Sequence, residues 1–463
     1  MLIGVSLLTS RGNSNAQFFS ANKGSAWYLV SFGMIGASLS GVTFLSVPGK
    51  VDASQFSYFQ MAMGYTVGYF FVAYVLLPVY YRHNVVSIYS YLEDRLGGLA
   101  HKIGAFYFLL ARSVGAALRL FLVATTLDFI LFSHYNIPFY VTVVVTILLI
   151  WVYTFKGGIA TVVWTDSLQT LFMLVALGAS IWYISDDLNW TVGEMITEVS
   201  MSKYSTIFTF DKLQGNFFIQ FMNGALITMA MTGVDQDMMQ KNLTCKSIGE
   251  AQKNMMTFSF VLVFINLAFL FLGALLFLYF EEKGIAITMS ADKVFAEFAL
   301  HQSGGSIFIG VMFLLGVIAA AYSSADSALT SLTTSFMVDF MPSDKQTTKN
   351  RILIHVFFSI VLFGIVMLVK AYADQGVSLI DHLFMAAGFT YGPLLGMFVF
   401  AIYTKRSVEQ NWVPVICLLS PLICFVLKTY STTYLAGYQL GHELLLVNTV
   451  ITIGGLFLIS KKD

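Results

Sequence analysis

The stretch Ile307–Ser327, IFIGVMFLLGVIAAAYSSADS, places several hydroxyls and one carboxylate directly after an uncharged apolar run. A carboxylate deep in lipid is costly unless it faces a partner or a water-filled cavity. On a helix, Ser323, Asp326 and Ser327 lie on one face because they are spaced i, i+3 and i+4. That face presents only oxygen atoms, which suit a small hard cation better than a transition metal. The stretch therefore predicts a cation site within a membrane.

The composition indicates a polytopic membrane protein. Of the 463 residues, 57% are hydrophobic and 11% are charged, and the mean hydropathy is +0.77. Soluble domains usually carry about 25% charged residues. The net charge of +0 argues against nucleic acid as a partner, and we expect a monomer surrounded by membrane lipid. Three cysteines without paired spacing, Cys245, Cys417 and Cys424, indicate neither a disulfide framework nor a metal motif.

Hydropathy predicts about twelve full membrane spans after a partial one at the N-terminus. The full spans are predicted at 26–49, 58–81, 102–133, 137–155, 159–184, 213–240, 254–280, 305–341, 350–372, 378–404, 411–428 and 443–460. The partial span lies within residues 1–12, and its apolar part, Met1–Thr9, has about half the length that a bilayer requires. We therefore expect it to be the end of a transmembrane helix whose first half is absent from the sequence.

The charges of the loops predict how the spans are oriented. Lysines and arginines fall on alternate loops, which should be cytoplasmic, as should the C-terminus. The loops between them carry the acidic residues Asp186, Asp187, Glu194, Glu198, Glu281 and Glu282. The basic residues assigned to cytoplasmic loops are Arg11, Lys23, Arg82, Arg95, Lys102, Lys156, Lys241, Lys246, Lys253, Lys345, Lys349, Arg351, Lys405, Arg406, Lys461 and Lys462.

Two spans that lie five spans apart contain helix-breaking residues. The first full span has the glycine- and serine-rich segment Gly33–Gly41, and the sixth has Asn223-Gly224 and Gly233 within its apolar run. Broken helices at corresponding positions of two halves indicate an inverted-repeat transporter with a binding site near mid-membrane. Glycines also allow close helix packing for structural reasons alone, so it is the pairing that favours transport.

Four segments along the chain carry a family resemblance. They are LSGVTFLSVPGK at 39–50, SYLEDR at 90–95, GG at 157–158 with VWTDSLQ at 163–169, and GVDQDMMQK at 233–241. In this order and topology they resemble the sodium:solute symporter family, nearest in motif to its sialic-acid, multivitamin and iodide-like branches. The likeness covers almost the whole chain.

The resemblance implies a fold and a function. The fold would be an all-α polytopic membrane protein with a LeuT-like bundle of two inverted five-helix repeats, at 26–184 and 213–404, and peripheral C-terminal helices at 411–460. The function would be sodium-coupled symport of a small polar or anionic organic solute across the cytoplasmic membrane by alternating access. The chain would be a secondary active transporter and not an enzyme.

The resemblance also implies a sodium site between the broken first helix and the eighth. By position, the ligands would be carbonyls and two hydroxyls, from Gly36, Leu39, Ala320, Ser323 and Ser324. An unwound turn frees carbonyl oxygens that a hard cation can satisfy. The alternative is that both serine hydroxyls bond back to preceding carbonyls of their own helix.

Some family members have a pattern that implies a second sodium ion. Its ligands here would be Asp166, Ser323, Asp326 and Ser327. Asp326 departs from that pattern, which has a hydroxyl at this position, so this carboxylate would either strengthen the second site or carry a proton. Asp166 could instead be a structural hydrogen-bond partner. Two carboxylates close together without an ion would keep one of them protonated.

By position, the solute would contact the broken first helix and several neighbouring spans. The candidates are Ser38, Ser40, Thr43, Arg119 and Thr228. Arg119 could hold a carboxylate through two parallel hydrogen bonds. The alternatives for the arginines of this span are an ion pair with a membrane acid, or extension of Arg112 towards the cytoplasmic surface. The glutamine and arginine of the sialic-acid branch correspond to Ala62 and Gly115 here, which argues against sialic acid itself.

Three other functions remain as alternatives. Because the carboxylate of Asp326 can carry a proton, a proton-coupled symporter remains an alternative. A sensor that uses a transporter fold would usually carry a signalling domain, and the sequence ends at Lys461-Lys462-Asp463 after its last span. A membrane enzyme would need a catalytic cluster near a surface loop, which no loop supplies.

Overall fold

The computed structural model describes residues 15–128, 132, 135–210, 215–303, 306–372, 379–434 and 437–461. The predicted partial span within residues 1–12 lies outside the described residues. The described part is almost entirely helical, so the predicted all-α class is confirmed. Two short strands, β1 (Ser407–Val408) and β2 (Ser460–Lys461), pair antiparallel near the C-terminal end of the described chain.

The helices are numbered here in chain order. They are α1 (Asn15–Ser20), α2 (Trp27–Ser38), α3 (Gly41–Gly49), α4 (Val51–Ser54), α5 (Tyr58–His83), α6 (Ser90–Leu96), α7 (Gly98–Leu127), α8 (Phe139–Val152), α9 (Gly158–Asp187), α10 (Val192–Met201), α11 (Phe217–Gly233), α12 (Gln236–Asn242), α13 (Ile248–Glu282), α14 (Val294–Glu297), α15 (Ile307–Phe340), α16 (Thr348–Tyr372), α17 (Leu379–Tyr403), α18 (Val413–Tyr434) and α19 (Leu444–Leu458).

Within the described residues, eight helices are long and apolar enough to cross a membrane, and two bent pairs bring that number to ten. The helices α8 and α19 are apolar but shorter. Observed bounds follow the predicted spans closely: the span predicted at 58–81 is Tyr58–His83, and the one at 350–372 is Thr348–Tyr372. The total of twelve full spans, the orientation and the limits of the two repeats stay predictions.

The two spans with helix-breaking residues are the two that bend. The helices α2 and α3 meet at 54°, and α11 and α12 meet at 70°. At the first bend, Leu39 and Ser40 leave helical geometry with ψ angles of 59° and 171°. At the second, Asp235 has an extended backbone with ψ 120° and caps the following helix. Each bend therefore removes backbone groups from the regular helical hydrogen-bond ladder.

Small residues let the bent helices pack closely against their neighbours. A Cβ added at Gly36 of α2 would collide with the hydroxyl of Thr170 and lie 3.0 Å from the backbone oxygen of Asp166, both on α9. A Cβ added at Gly224 of α11 would overlap the backbone oxygen of Met61 on α5. The helix α9 also packs along α15, so α2, α9 and α15 meet at the level of Asp166.

Candidate cation and solute site

A fully buried carboxylate, that of Asp166 on α9, stands at the centre of the site. Its Oδ1 accepts a hydrogen bond of 2.6 Å from the hydroxyl of Ser323 on α15. Its Oδ2 lies 2.6 Å from the ammonium nitrogen of Lys241 on α12 and 3.5 Å from the hydroxyl of Ser327. One side chain thus connects helices from the two predicted repeats.

The first predicted sodium ligands, Gly36, Leu39, Ala320, Ser323 and Ser324, are all buried. Three of them are predicted to supply carbonyls, and two of these three lie at the end of α2, where the bend interrupts the helix. The hydroxyl of Ser324 has no hydrogen-bond partner among the described residues. The hydroxyl of Ser323 donates to Asp166. The alternative in which both serines bond back to carbonyls of their own helix therefore does not describe this structure.

The residues predicted for a second cation, Asp166, Ser323, Asp326 and Ser327, also lie together. The hydroxyls of Ser323 and Ser327 contact Asp166, as described above. The carboxylate of Asp326 accepts a hydrogen bond from the Thr165 hydroxyl at 3.4 Å and one from the backbone N–H of Ser327 at 2.6 Å. All four residues are fully buried. What the sequence did not predict is a positive charge within this group.

That positive charge belongs to Lys241, for which the loop charges predict a position in a cytoplasmic loop. The loop placement is wrong, because Lys241 lies in α12 and its side chain is only 1% exposed. It is wrong in the same way for Arg351, which lies buried in α16. The signal that could have found Lys241 is its position in the GVDQDMMQK segment, eight residues after the glycine that precedes the second bend. A lysine so close to a predicted helix break in a membrane span has a reason to face inward.

All five residues predicted to contact solute line one cavity. The cavity has about 710 Å³ of empty space, including the part that opens to solvent. The predicted residues that line it are Ser38, Ser40, Thr43, Arg119 and Thr228. Aromatic and aliphatic side chains from α5, α11 and α17 complete the wall, among them Tyr69, Met231 and Phe384. Of the two positions compared with the sialic-acid branch, neither Ala62 nor Gly115 lines the cavity.

The two arginines of α7 both line the cavity but have different surroundings. Arg112 forms a buried ion pair with Asp237 of α12, so the predicted alternative of an ion pair with a membrane acid describes Arg112. Arg119 makes no hydrogen bond or ion pair with any described residue. Tyr391 of α17 donates to Asp235, which also caps α12 through the backbone N–H groups of its first turn.

A further ion pair joins the end of α3 to the start of α17, next to the cavity-lining residue Ile380. The ammonium of Lys50, directly after α3, lies 2.8 and 2.9 Å from the two carboxylate oxygens of Asp381 at the start of α17. His442 places its Nε2 3.8 Å from Asp381 Oδ1. The loop charges predict that this end faces the extracellular side.

Two bent membrane helices, a buried oxygen-rich group on α9 and α15 and a cavity lined by residues of both bent pairs define a secondary transporter of the inverted-repeat class. The sequence profile of the sodium:solute symporter family matches residues 18–411, and the chain belongs to this family. It is a membrane transporter of a small-molecule solute and not an enzyme, and sodium is its co-transported ion.

Relatives among characterised proteins are distant but cover most of the chain. A putative sodium-dependent multivitamin transporter of Drosophila melanogaster is 23% identical over 86% of this chain and 67% of its own length. The sodium/sialic acid symporter NanT of Aliivibrio fischeri is 23% identical over 88% of this chain and 81% of its own length. The sodium/sialic acid symporter SiaT of Proteus mirabilis is 22% identical over 88% of this chain and 83% of its own length.

Solved structures support the fold. A Na⁺-coupled sialic acid symporter in a substrate-bound, outward-open state superposes with a TM-score of 0.83 and 19% identity, over 100% of this chain and 97% of that one. Mhp1, a nucleobase-cation-symport-1 family transporter in a closed conformation, superposes with a TM-score of 0.61 and 14% identity. The superposition covers 97% of this chain and 96% of that one. The LeuT-like architecture implied by the sequence motifs is thereby confirmed.

Proposed function

We propose that this transporter carries a small organic solute with a carboxylate group across the cytoplasmic membrane, together with Na⁺, as a monomer. The observation that carries the proposal is the Arg119 guanidinium, which lines the cavity and bonds to no described residue. A buried guanidinium without a counter-ion is costly, and a carboxylate satisfies it with two parallel hydrogen bonds. The solute would therefore complete an ion pair that the protein leaves open.

Around that ion pair, hydroxyls would orient the rest of the solute. Ser38, Ser40 and Thr43 lie at the first bend, and Thr228 faces them from α11. Such groups donate and accept, so they bind the polar atoms of many organic acids. The absence of the glutamine and arginine of the sialic-acid branch, replaced by Ala62 and Gly115, favours a different carboxylate. Names of relatives include both sialic acid and monocarboxylate transporters, which is consistent with an acidic solute.

We further propose that the co-transported Na⁺ is bound by the carbonyls of Gly36, Leu39 and Ala320 and by the hydroxyls of Ser323 and Ser324. Support comes from the interrupted end of α2 and from the unpartnered Ser324 hydroxyl. The same bend carries the hydroxyls of the solute cavity. An ion that stabilises the bend therefore also arranges the solute contacts, so the two ligands should bind cooperatively.

The test is uptake into proteoliposomes driven by an imposed Na⁺ gradient. Solutes should be compared as matched pairs, each organic acid with its amide, so that the pair differs only in the carboxylate. We expect accumulation of one or more acids and no accumulation of the corresponding amides. Equal uptake of an acid and its amide, or uptake driven by a proton gradient without Na⁺, would contradict the proposal.

Variants of the cavity arginine make the test specific. Arg119→Ala should raise the KM for the acid by at least tenfold, because it removes a charge-assisted contact of about 1.5–3 kcal/mol. Arg119→Lys should retain part of the affinity, since lysine keeps the charge but not the planar pair of donors. The matched control is Arg406→Ala, which removes an arginine that does not line the cavity. An unchanged KM in Arg119→Ala would remove this residue from the site.

A further inference from the structure

A positive charge supplied by the chain itself occupies the predicted second cation position. The ammonium of Lys241 lies 2.6 Å from Oδ2 of Asp166, and the two side chains are 1% and 0% exposed. A second buried carboxylate of this group, that of Asp326, accepts from the Thr165 hydroxyl at 3.4 Å. A carboxylate pair and two hydroxyls at such depth need a cation, and here a covalently tethered one satisfies Asp166.

The surroundings of Lys241 make Asp166 its specific partner. Asp237 lies one helical turn earlier on α12, at the spacing for an ion pair within the helix. Its carboxylate, however, is paired with Arg112. Lys241 therefore reaches across to α9 and joins the oxygen atoms contributed by α9 and α15. Lysine suits this role because its ammonium is a compact charge with three donors, comparable in charge and ligand preference to a small monovalent cation.

We propose that the Lys241 ammonium takes the place of a second sodium ion, so that each transport cycle carries one Na⁺ per solute molecule. This inference rests on the proposed function, which it extends by a stoichiometry. Lys241 is a positioning residue in this account. It holds Asp166 in place, and Asp166 in turn holds the hydroxyl of Ser323, a proposed ligand of the transported ion.

The wild-type protein provides the first test. In proteoliposomes, the Na⁺ gradient at which net solute flux vanishes gives the number of ions coupled to each solute molecule. We expect a ratio of one and a Hill coefficient for Na⁺ of about 1. A ratio of two in the wild type would overturn the inference and leave the proposed symport intact. Transport without any Na⁺ coupling would overturn the proposed function, and this inference with it.

Substitution of Lys241 provides the second test. In Lys241→Ala, the carboxylate of Asp166 loses its tethered cation, and space opens for a mobile one. We expect the Hill coefficient for Na⁺ to rise from about 1 towards 2 and the coupled ratio to rise in parallel. Lys241→Arg keeps the charge and should stay at one ion. The double variant Lys241→Ala/Asp166→Asn has neither the ammonium nor the carboxylate and should also couple a single ion.

A purely structural role for Lys241 predicts a different pattern. A lysine that only braces α12 against α9 would reduce expression or thermal stability on substitution but would not change the number of coupled ions. Folded, active Lys241→Ala that still couples one Na⁺ would therefore overturn the inference. Should Lys241→Ala fail to fold, the wild-type ratio decides the question by itself.

Discussion

The hydroxyl of Ser323 donates a hydrogen bond of 2.6 Å to Oδ1 of Asp166. This bond fixes the direction of the hydroxyl proton, so the oxygen lone pairs of Ser323 remain available to a cation. The next residue, Ser324, has a hydroxyl without a partner among the described residues. Two adjacent serines on α15 thus carry buried hydroxyls, of which that of Ser323 is oriented by Asp166 and that of Ser324 has no partner among the described residues.

Replacement of these serines should therefore weaken the response to Na⁺ to different extents. Ser324→Ala removes one oxygen ligand of the ion. We expect it to cost about 1.4 kcal/mol of Na⁺ binding free energy, which raises the Na⁺ concentration for half-maximal uptake about tenfold. Ser323→Ala should have a larger effect, because it also removes the hydroxyl that donates to Oδ1 of buried Asp166 at 2.6 Å. The measurement is the initial rate of solute uptake against external Na⁺.

The double variant Ser323→Ala/Ser324→Ala should accumulate no solute in response to Na⁺. The matched control is Ser331→Ala on the same helix, whose hydroxyl donates to the backbone oxygen of Ala328. That variant should keep the Na⁺ response of the wild type. Accumulation in the double variant that responds to Na⁺ as the wild type does would show that these serines are not ligands.

The buried pair of Arg112 and Asp237 should matter for stability more than for recognition. Asp237→Asn removes one partner and leaves a buried guanidinium charge without compensation, a change that costs about 3–5 kcal/mol in other proteins. We expect a clear decrease of the melting temperature in detergent. The neutral double variant Arg112→Gln/Asp237→Asn should recover part of this loss. A melting temperature of Asp237→Asn equal to that of the wild type would contradict a paired, buried Arg112.

Much of the architecture was predictable because it depends on local sequence. Apolar runs fix the spans, and the segments Gly33–Gly41 and Asn223–Gly233 carry the residues that interrupt a helix where the two bends are observed. The five residues predicted to contact solute lie around one cavity, and it is the family resemblance rather than periodicity that predicts them. Periodicity and helix-breaking residues are properties that a sequence displays directly.

The partners of buried charges were not predictable in this way. Lys241 and Asp166 are 75 residues apart, and Arg112 and Asp237 are 125 residues apart. Counting loop charges treats every lysine near a span end as exposed, and so it assigned Lys241 to the cytoplasm. Only the packing of α12 against α9 and α15 shows that its ammonium faces a carboxylate. For the arginines of α7, the sequence did not decide between an ion pair with a membrane acid and extension of Arg112 towards the cytoplasmic surface.

Close helix packing at glycines makes a prediction that is independent of charge. Gly224→Ala would place a methyl group against the backbone oxygen of Met61, and a backbone atom cannot move aside cheaply. We expect a lower melting temperature and less folded protein. The matched control is Gly178→Ala within α9, where an added Cβ meets nothing within 4 Å. Because alanine favours a helix by up to about 1 kcal/mol over glycine, this control should be as stable as the wild type or more stable.

The ion pair of Lys50 and Asp381 should control access to the cavity. Lys50 follows α3, which carries Thr43, and Asp381 lies in α17 next to Ile380, so the pair joins two walls of the cavity at one end. The side chains of Lys50 and Asp381 are 24% and 34% exposed. Ion pairs this exposed contribute about 0.2–1 kcal/mol. That free energy changes the ratio of cavities open and closed at this end by at most about fivefold.

Lys50→Gln should accordingly open this end of the cavity more often. A cysteine introduced at Thr43 should react with an external thiol reagent about twofold to fivefold faster in the Lys50→Gln background, whereas Lys50→Arg, which keeps the charge, should react at the original rate. The native cysteines Cys245, Cys417 and Cys424 are buried and provide a low background. High salt should reduce the difference, because screening weakens a partly exposed pair. Equal labelling rates in all three backgrounds at low salt would show that the pair does not restrain this end of the cavity.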